Sequence, residues 1–178
     1  HICDNTEYPS LIRGGHNIMQ VNFSTEVVTA PSLKSDLLIA FDQLTIDLHS
    51  DELHSGSGIV YDIDANLDLS KIGDGVSRYG IPLKKLALEA GEKNIFVNIV
   101  ALSAATGLLG GNLETFKKLI EEEYGDKGEE IVNADKKAAD LGYSYAVENY
   151  KDDLRDYMKV IDSFSSPISY MILSGNEA

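Results

Sequence analysis

The chain has 178 residues, enough for one domain with a tail, and its 15 basic against 29 acidic side chains give a net charge of −14, a sign that repels nucleic-acid phosphates. No apolar run approaches the roughly 18 residues that span a bilayer, and the richest stretch, Ile95 to Leu109, is broken by Asn98, Ser103, Thr106 and Gly107 and reads as a buried helix. A lone cysteine, Cys3, forms no internal disulfide, and His1 to Ser10 lacks the basic start and apolar stretch of a secretion signal, so a cytoplasmic setting is expected.

Met19 to Ser24 alternates apolar and polar residues and is predicted to be a half-buried strand, with Val27 to Ala30 as its hairpin partner before Pro31. Asp36 to Phe41 carries the run Leu37-Leu38-Ile39-Ala40-Phe41, the pattern of a strand covered on both faces. Gln43 to Leu53 is predicted to be a helix, Ser55-Gly56-Ser57-Gly58 a turn, and Gly58 to Asp62 another buried strand. Asp62 to Gly75 is polar and reads as a loop. Pro82 introduces a short helix over Leu83 to Ala90, stopped at Gly91. Three further helices are expected over Lys93 to Leu109, Leu113 to Tyr124 and Glu129 to Tyr150. The alternation predicts an α/β fold, strand-rich early and helix-rich late, with helices packed on a sheet.

Several residues could carry chemistry. Asp62, Asp64, Asn66, Asp68 and Ser70 imitate the start of a calcium loop, but Leu67 and Gly73 stand where its glycine and its glutamate belong, so a solvated acidic loop is the reading. His49 and His54 are five apart, off the i, i+4 face a metal would need, and read as surface residues. Tyr143, Tyr145, Tyr150 and Tyr157 read as packing or interface residues, and Glu121-Glu122-Glu123 as a solvated helix side. The densest segment is Tyr8-Pro9-Ser10-Leu11-Ile12-Arg13-Gly14-Gly15-His16-Asn17. Arg13 offers a planar fork of donors, and two glycines let successive N–H groups converge on an anion. A tight turn, with Arg13 paired to Glu7 or another carboxylate, is the alternative.

That segment resembles one found in the gamma domains of 2-oxoacid:ferredoxin (or flavodoxin) oxidoreductases, acting on pyruvate, 2-oxoglutarate or ketoisovalerate. Similarity continues in order through Ala30-Pro31-Ser32, Asp36 to Phe41, Gly58 to Asp62, Ile81-Pro82-Leu83, Lys93-Asn94, Gly128-Glu129-Glu130, Asn133 and Gly142-Tyr143, covering about residues 4 to 143. The resemblance implies a Rossmann-like sheet with helices on both faces, whose first strand and glycine-rich turn would precede His1. It implies a gamma-type domain over residues 1–150. Ile172 to Ala178 resembles the start of a thiamine-pyrimidine-binding domain, so residues 151–178 are expected to be a linker into that domain within a fused gamma–alpha chain.

As a function, the resemblance implies an accessory domain of an enzyme that oxidatively decarboxylates a 2-oxoacid to an acyl-CoA. Electrons would pass to ferredoxin or flavodoxin, as in anaerobic metabolism. Thiamine diphosphate, magnesium, iron–sulfur clusters and coenzyme A are expected in the complete enzyme and none on this chain alone. Its partners would be the thiamine-binding alpha and beta domains or subunits. No catalytic residue is assigned, and Tyr8, Pro9, Ser10, Arg13, Gly14, Gly15, His16 and Asn17 are the ligand or interface candidates. Two other functions stay open: a stand-alone module binding CoA or another anion, and a purely structural assembly domain.

Overall fold

The computed structural model describes residues 2–7, 16–24, 26–28, 30–91 and 94–154. Ile2–Glu7 (β1) and Ile18–Phe23 (β2) form an antiparallel pair, registered from Ile2 opposite Phe23 to Glu7 opposite Ile18. The partner of β2 is therefore β1 and not Val27 to Ala30. The polar text of β1, Ile2-Cys3-Asp4-Asn5-Thr6-Glu7, hides a strand that needs no buried face because it stands outside the main sheet.

That sheet has three parallel strands in the order β3 (Ser35–Ala40), β4 (Leu53–Asp62) and β5 (Ser77–Ile81). Consecutive parallel strands require crossovers. The first runs through helix α1 (Gln43–His49) and a short 3-10 turn, Ser50–Glu52; the second is the acidic loop after Asp62. Four helices then follow: α2 (Leu83–Ala90), α3 (Val97–Leu108), α4 (Leu113–Tyr124) and α5 (Glu129–Asn149).

The alternation of side chains along each strand sorts the core into two layers. Leu38, Ala40 and Ile59 point to one face and pack with Ile46 of α1 and with Ile72 and Val76 of the long loop. Val60, Tyr79 and Ile81 point to the other, where α2, α3 and α5 cover them with Leu83, Leu86, Val100, Ala104 and Ala138 among others. Helices thus lie on both faces, as expected, with the greater mass on one. A third cluster, Ile120, Val132 and Ala139, joins α4 to α5.

One correction concerns glycine. The predicted turn at Ser55 to Gly58 lies inside β4, and a register shift between Ser35 and Leu37 absorbs it. Gly56 there has φ +94°, a conformation that costs a side-chain-bearing residue. The buried Ser57 hydroxyl donates to the Ser35 carbonyl at 2.7 Å and accepts from the His54 N–H at 3.0 Å, replacing the missing ladder bonds. Within the last helix, Gly142 serves packing. A Cβ at that position would strike the Val100 carbonyl and the Ser103 hydroxyl, so its absence is what brings α3 and α5 together.

Strand β5 was not expected from the sequence, because Arg78 and Gly80 interrupt its apolar text. It is fixed by its neighbours. Tyr79 is buried, and Tyr150 meets its ring edge-on at 5.0 Å while donating from its hydroxyl to the Gly80 carbonyl at 2.7 Å. The expected linker segment from residue 155 onward lies outside the described residues.

Candidate functional site

Of the eight candidate residues, Tyr8, Pro9, Ser10, Arg13, Gly14 and Gly15 lie outside the described residues, as does the alternative pairing of Arg13. His16 and Asn17 are described, immediately before β2. They face an open cleft of about 1300 Å³ between β2, the outer edge of β3 and one side of α3. Apolar side chains such as Ile18, Leu37, Ile39, Leu102 and Ala105 form most of its wall. His16, Asn17, Asn22, Thr45 and Glu52 supply polar groups to it.

A chain of hydrogen bonds anchors His16 to the body of the domain. Its Nε2 lies 2.7 Å from Nε2 of His49, the last residue of α1, with the ring centroids 4.9 Å apart. His49 Nδ1 lies 2.6 Å from Glu52 Oε1, and the second Glu52 oxygen accepts from the Ser35 hydroxyl at 3.4 Å. An ionised carboxylate only accepts, so Nδ1 of His49 donates to Glu52, and its Nε2 shares the next hydrogen bond with Nε2 of His16. The side chain of His49 is 12% exposed. It is therefore an interior link and not the surface residue expected, whereas His54, 43% exposed beside Asp36, does lie at the surface.

The helix that carries His49 is itself well started. Asp42 caps it, accepting from the Thr45 N–H at 2.8 Å and the Thr45 hydroxyl at 2.7 Å. These two hydrogen bonds, the hydroxyl's first, hold the Asp42 carboxyl below its ordinary value, and the nearby His16 adds a smaller coulombic share. At the other end of β2, Gln20 donates to the Ser32 carbonyl at 2.7 Å and Asn22 Oδ1 accepts from the Ser32 N–H at 3.4 Å. The Asn22 amide nitrogen is buried without a hydrogen-bond partner among the described residues, leaving a donor in the cleft wall.

The His16–His49–Glu52 chain was not read from the sequence. His16 and His49 are 33 positions apart, and only the fold brings them together; the i, i+3 spacing of His49 and Glu52 was the one local signal. Among the described residues no group of three or more His, Cys, Asp or Glu side chains is placed to hold a metal. The acidic loop's Asp68 caps Ser70, and its carboxyl is lowered by the Ser70 N–H and hydroxyl. A single cysteine falls short of the four thiolates an iron–sulfur cluster takes.

A parallel α/β sheet with an antiparallel arm beside a cleft defines a domain class, and comparison with known proteins identifies it. The chain belongs to the pyruvate ferredoxin/flavodoxin oxidoreductase family, whose model matches residues 1–145. The ketoisovalerate oxidoreductase subunit VorA of Methanothermobacter thermautotrophicus is 30% identical over 145 residues, covering 80% of this chain and 29% of the relative. The chain thus spans less than a third of that relative's length. A 2-oxoglutarate:ferredoxin oxidoreductase from Magnetococcus marinus, solved with 2-oxoglutarate, coenzyme A and succinyl-CoA bound, superposes with a TM-score of 0.76 at 28% identity, covering 83% of this chain and 26% of that one. The gamma subunit of a keto/oxoacid ferredoxin oxidoreductase from Geobacter sulfurreducens has the same fold, with a TM-score of 0.64 at 24% identity over 83% of this chain and 80% of that one. Among the described residues no helix is long and apolar enough to cross a membrane.

Proposed function

We propose that this chain is the gamma-type accessory domain of a 2-oxoacid:acceptor oxidoreductase, and that its part is to receive coenzyme A beside the thiamine-bearing domains. The complete enzyme would convert a 2-oxoacid to an acyl-CoA and CO₂ and pass two electrons to ferredoxin or flavodoxin. Thiamine diphosphate supplies the carbanion chemistry there and iron–sulfur clusters the electron path, on domains other than this one. The observation that carries the reading is the placement of His16 and Asn17, the two described residues of the stretch from Tyr8 to Asn17. They open onto a cleft of about 1300 Å³ in a domain that resembles an enzyme solved with coenzyme A bound.

The chemistry of the residues suits that ligand. Coenzyme A is an anion with a long, partly apolar arm. Arg13 provides a permanent cation whose fork of donors fits phosphate, and the N–H groups of Gly14 and Gly15 add uncharged donors. The apolar wall of the cleft suits the arm, with Asn17 and Asn22 as amide contacts along it. The net charge of −14 makes Arg13 matter more, because the remaining surface repels an anion.

Exposed apolar side chains crowd the mouth of the cleft and its surroundings. Ile2, Met19 and Val21 on the arm, with Ile95 and Leu102 on the helical layer, are each about half exposed or more. These suit packing against the thiamine-bearing domains. The test is Arg13→Ala in the complete enzyme. Loss of one charged hydrogen-bonding group is worth about 1.5–3 kcal/mol, so the KM for CoA should rise roughly ten- to a hundredfold. Unchanged kinetics in a normally assembled enzyme would refute the reading.

A further inference from the structure

We propose that His16 is a general base that takes the proton of a thiol bound in the cleft, with His49 and Glu52 as the groups that support it. The inference rests on the proposal that the cleft receives coenzyme A, whose reactive group is a thiol. Glu52 Oε1 lies 2.6 Å from Nδ1 of His49, and Nε2 of His49 lies 2.7 Å from Nε2 of His16. This line uses one nitrogen of His16. Its Nδ1 has no hydrogen-bond partner among the described residues, and His16 lines the cleft whereas His49 does not. A carboxylate and a ring that orient a second ring at the wall of a ligand-sized cavity are the parts of a relay that activates a nucleophile.

Counting protons shows how the relay would work. With both rings neutral, His49 carries a proton on Nδ1, one more proton lies between the two Nε2 atoms, and Nδ1 of His16 is left as a lone pair. A thiol is mostly protonated near neutral pH, and only its thiolate is the nucleophile. In the step assigned here the S–H bond breaks, its proton goes to Nδ1 of His16, and its electron pair stays on sulfur. The shared proton can then pass from His16 Nε2 to His49 Nε2. The positive charge comes to rest on His49, beside the Glu52 carboxylate, as the imidazolium of a triad rests beside its acid. Glu52 is itself held by the Ser35 hydroxyl at 3.4 Å, and the His49 side chain is 12% exposed, so little water intervenes. The Asp42 carboxylate also interacts coulombically with His16, and Lys34 and Asp36 line the cleft further along. The proton leaves to solvent through the open side of the cleft.

The test uses the complete enzyme. His16→Ala should lower kcat for acyl-CoA formation about 10²–10⁴-fold, the typical contribution of a general base, with the loss in kcat and not in the KM for CoA. Added imidazole should restore part of the rate. Desulfo-CoA, which has no thiol, should bind the parent and the variant alike. His16→Gln keeps a hydrogen bond to His49 but has no basic nitrogen, so it separates fastening of the arm from catalysis even where the alanine variant does not assemble. It should be as slow as His16→Ala.

A parent-like kcat in His16→Gln overturns the proposal. So does a loss in His16→Ala that weakens desulfo-CoA binding and is not relieved by imidazole, the signature of a ring that only fastens the arm. Leu102→Trp, which fills the cleft from α3, tests the underlying reading separately. A KM for CoA raised by Leu102→Trp, beside a normal kcat in His16→Gln, removes the base and leaves the CoA site standing. A KM for CoA that Leu102→Trp leaves unmoved overturns the CoA reading of the cleft and the base with it.

Discussion

Replacing Gly142 by alanine should loosen the seam between α3 and α5, although the same change in an ordinary helix gains about 1 kcal/mol. The new methyl would stand within contact distance of the Val100 carbonyl oxygen and the Ser103 hydroxyl. The hydroxyl can rotate, but the carbonyl belongs to the backbone of α3. The helices must therefore part, and Ala101, Ala104, Ala138 and Ala146, all fully buried, would lose contact across the seam. Overpacking of this kind costs typically 1–3 kcal/mol, occasionally more, and a rigid backbone obstacle places it at the upper end. After the propensity gain is subtracted, a net loss of about 2 kcal/mol remains. For a domain of this size that corresponds to a melting temperature lower by about 4–8 °C.

Thermal unfolding followed by circular dichroism measures the shift. The comparison is Gly125→Ala, where φ is −53° and nothing lies within 4 Å of the added carbon. That change should raise stability by about 0.4–1 kcal/mol through the unfolded state. A Gly142→Ala protein that melts as high as the parent, or as high as Gly125→Ala, would refute the steric argument.

Two further outcomes follow from single contacts. Asp42→Ala should cost about 1 kcal/mol by uncapping α1, and the effect has a pH signature measurable by urea titration. Because folding lowers the Asp42 carboxyl below its ordinary 3.8, its contribution is complete above that value and is lost as pH falls through the lower folded one; Asp42→Asn should keep the cap and remove this acid sensitivity. Tyr150 is pushed up to about 12, chiefly by burial. Ultraviolet titration should therefore show one late-ionising tyrosine that disappears in Tyr150→Phe, with about 1 kcal/mol of stability lost with the bond to Gly80.

Legibility of the fold followed the physical source of each element. The helices over Leu83–Ala90, Leu113–Tyr124 and Glu129–Asn149 were read closely because amphipathic spacing and flanking glycines are local signals. Strands β3 and the end of β4 were read because both their faces are apolar. Strand β1 was missed because its residues answer to β2 and not to a core, and β5 because Tyr79 and Ile81 are organised by Tyr150, some seventy positions away. The Ser-Gly-Ser-Gly stretch misled for a related reason: a serine hydroxyl can stand in for a strand's ladder bond, which composition does not reveal. At the site, Arg13-Gly14-Gly15 stood out through residue chemistry alone, while the His16–His49 link depends on where α1 ends relative to the start of β2.

The outer edge of β3 has a consequence of a different kind. Strand β3 pairs with β4 alone among the described strands, so the N–H and C=O groups on its other side run along the cleft, between Leu38 and Ala40, both buried, on one face and the half-buried Leu37 and Ile39 on the other. Such an edge is a template for any extended chain. Wherever it is left open it would recruit other copies or stray peptides as readily as its proper neighbours. The surplus of acidic side chains opposes this by keeping copies apart, a protection that salt weakens. Wherever that edge is left open, association between copies is thus a contest between strand pairing and a strongly negative coat.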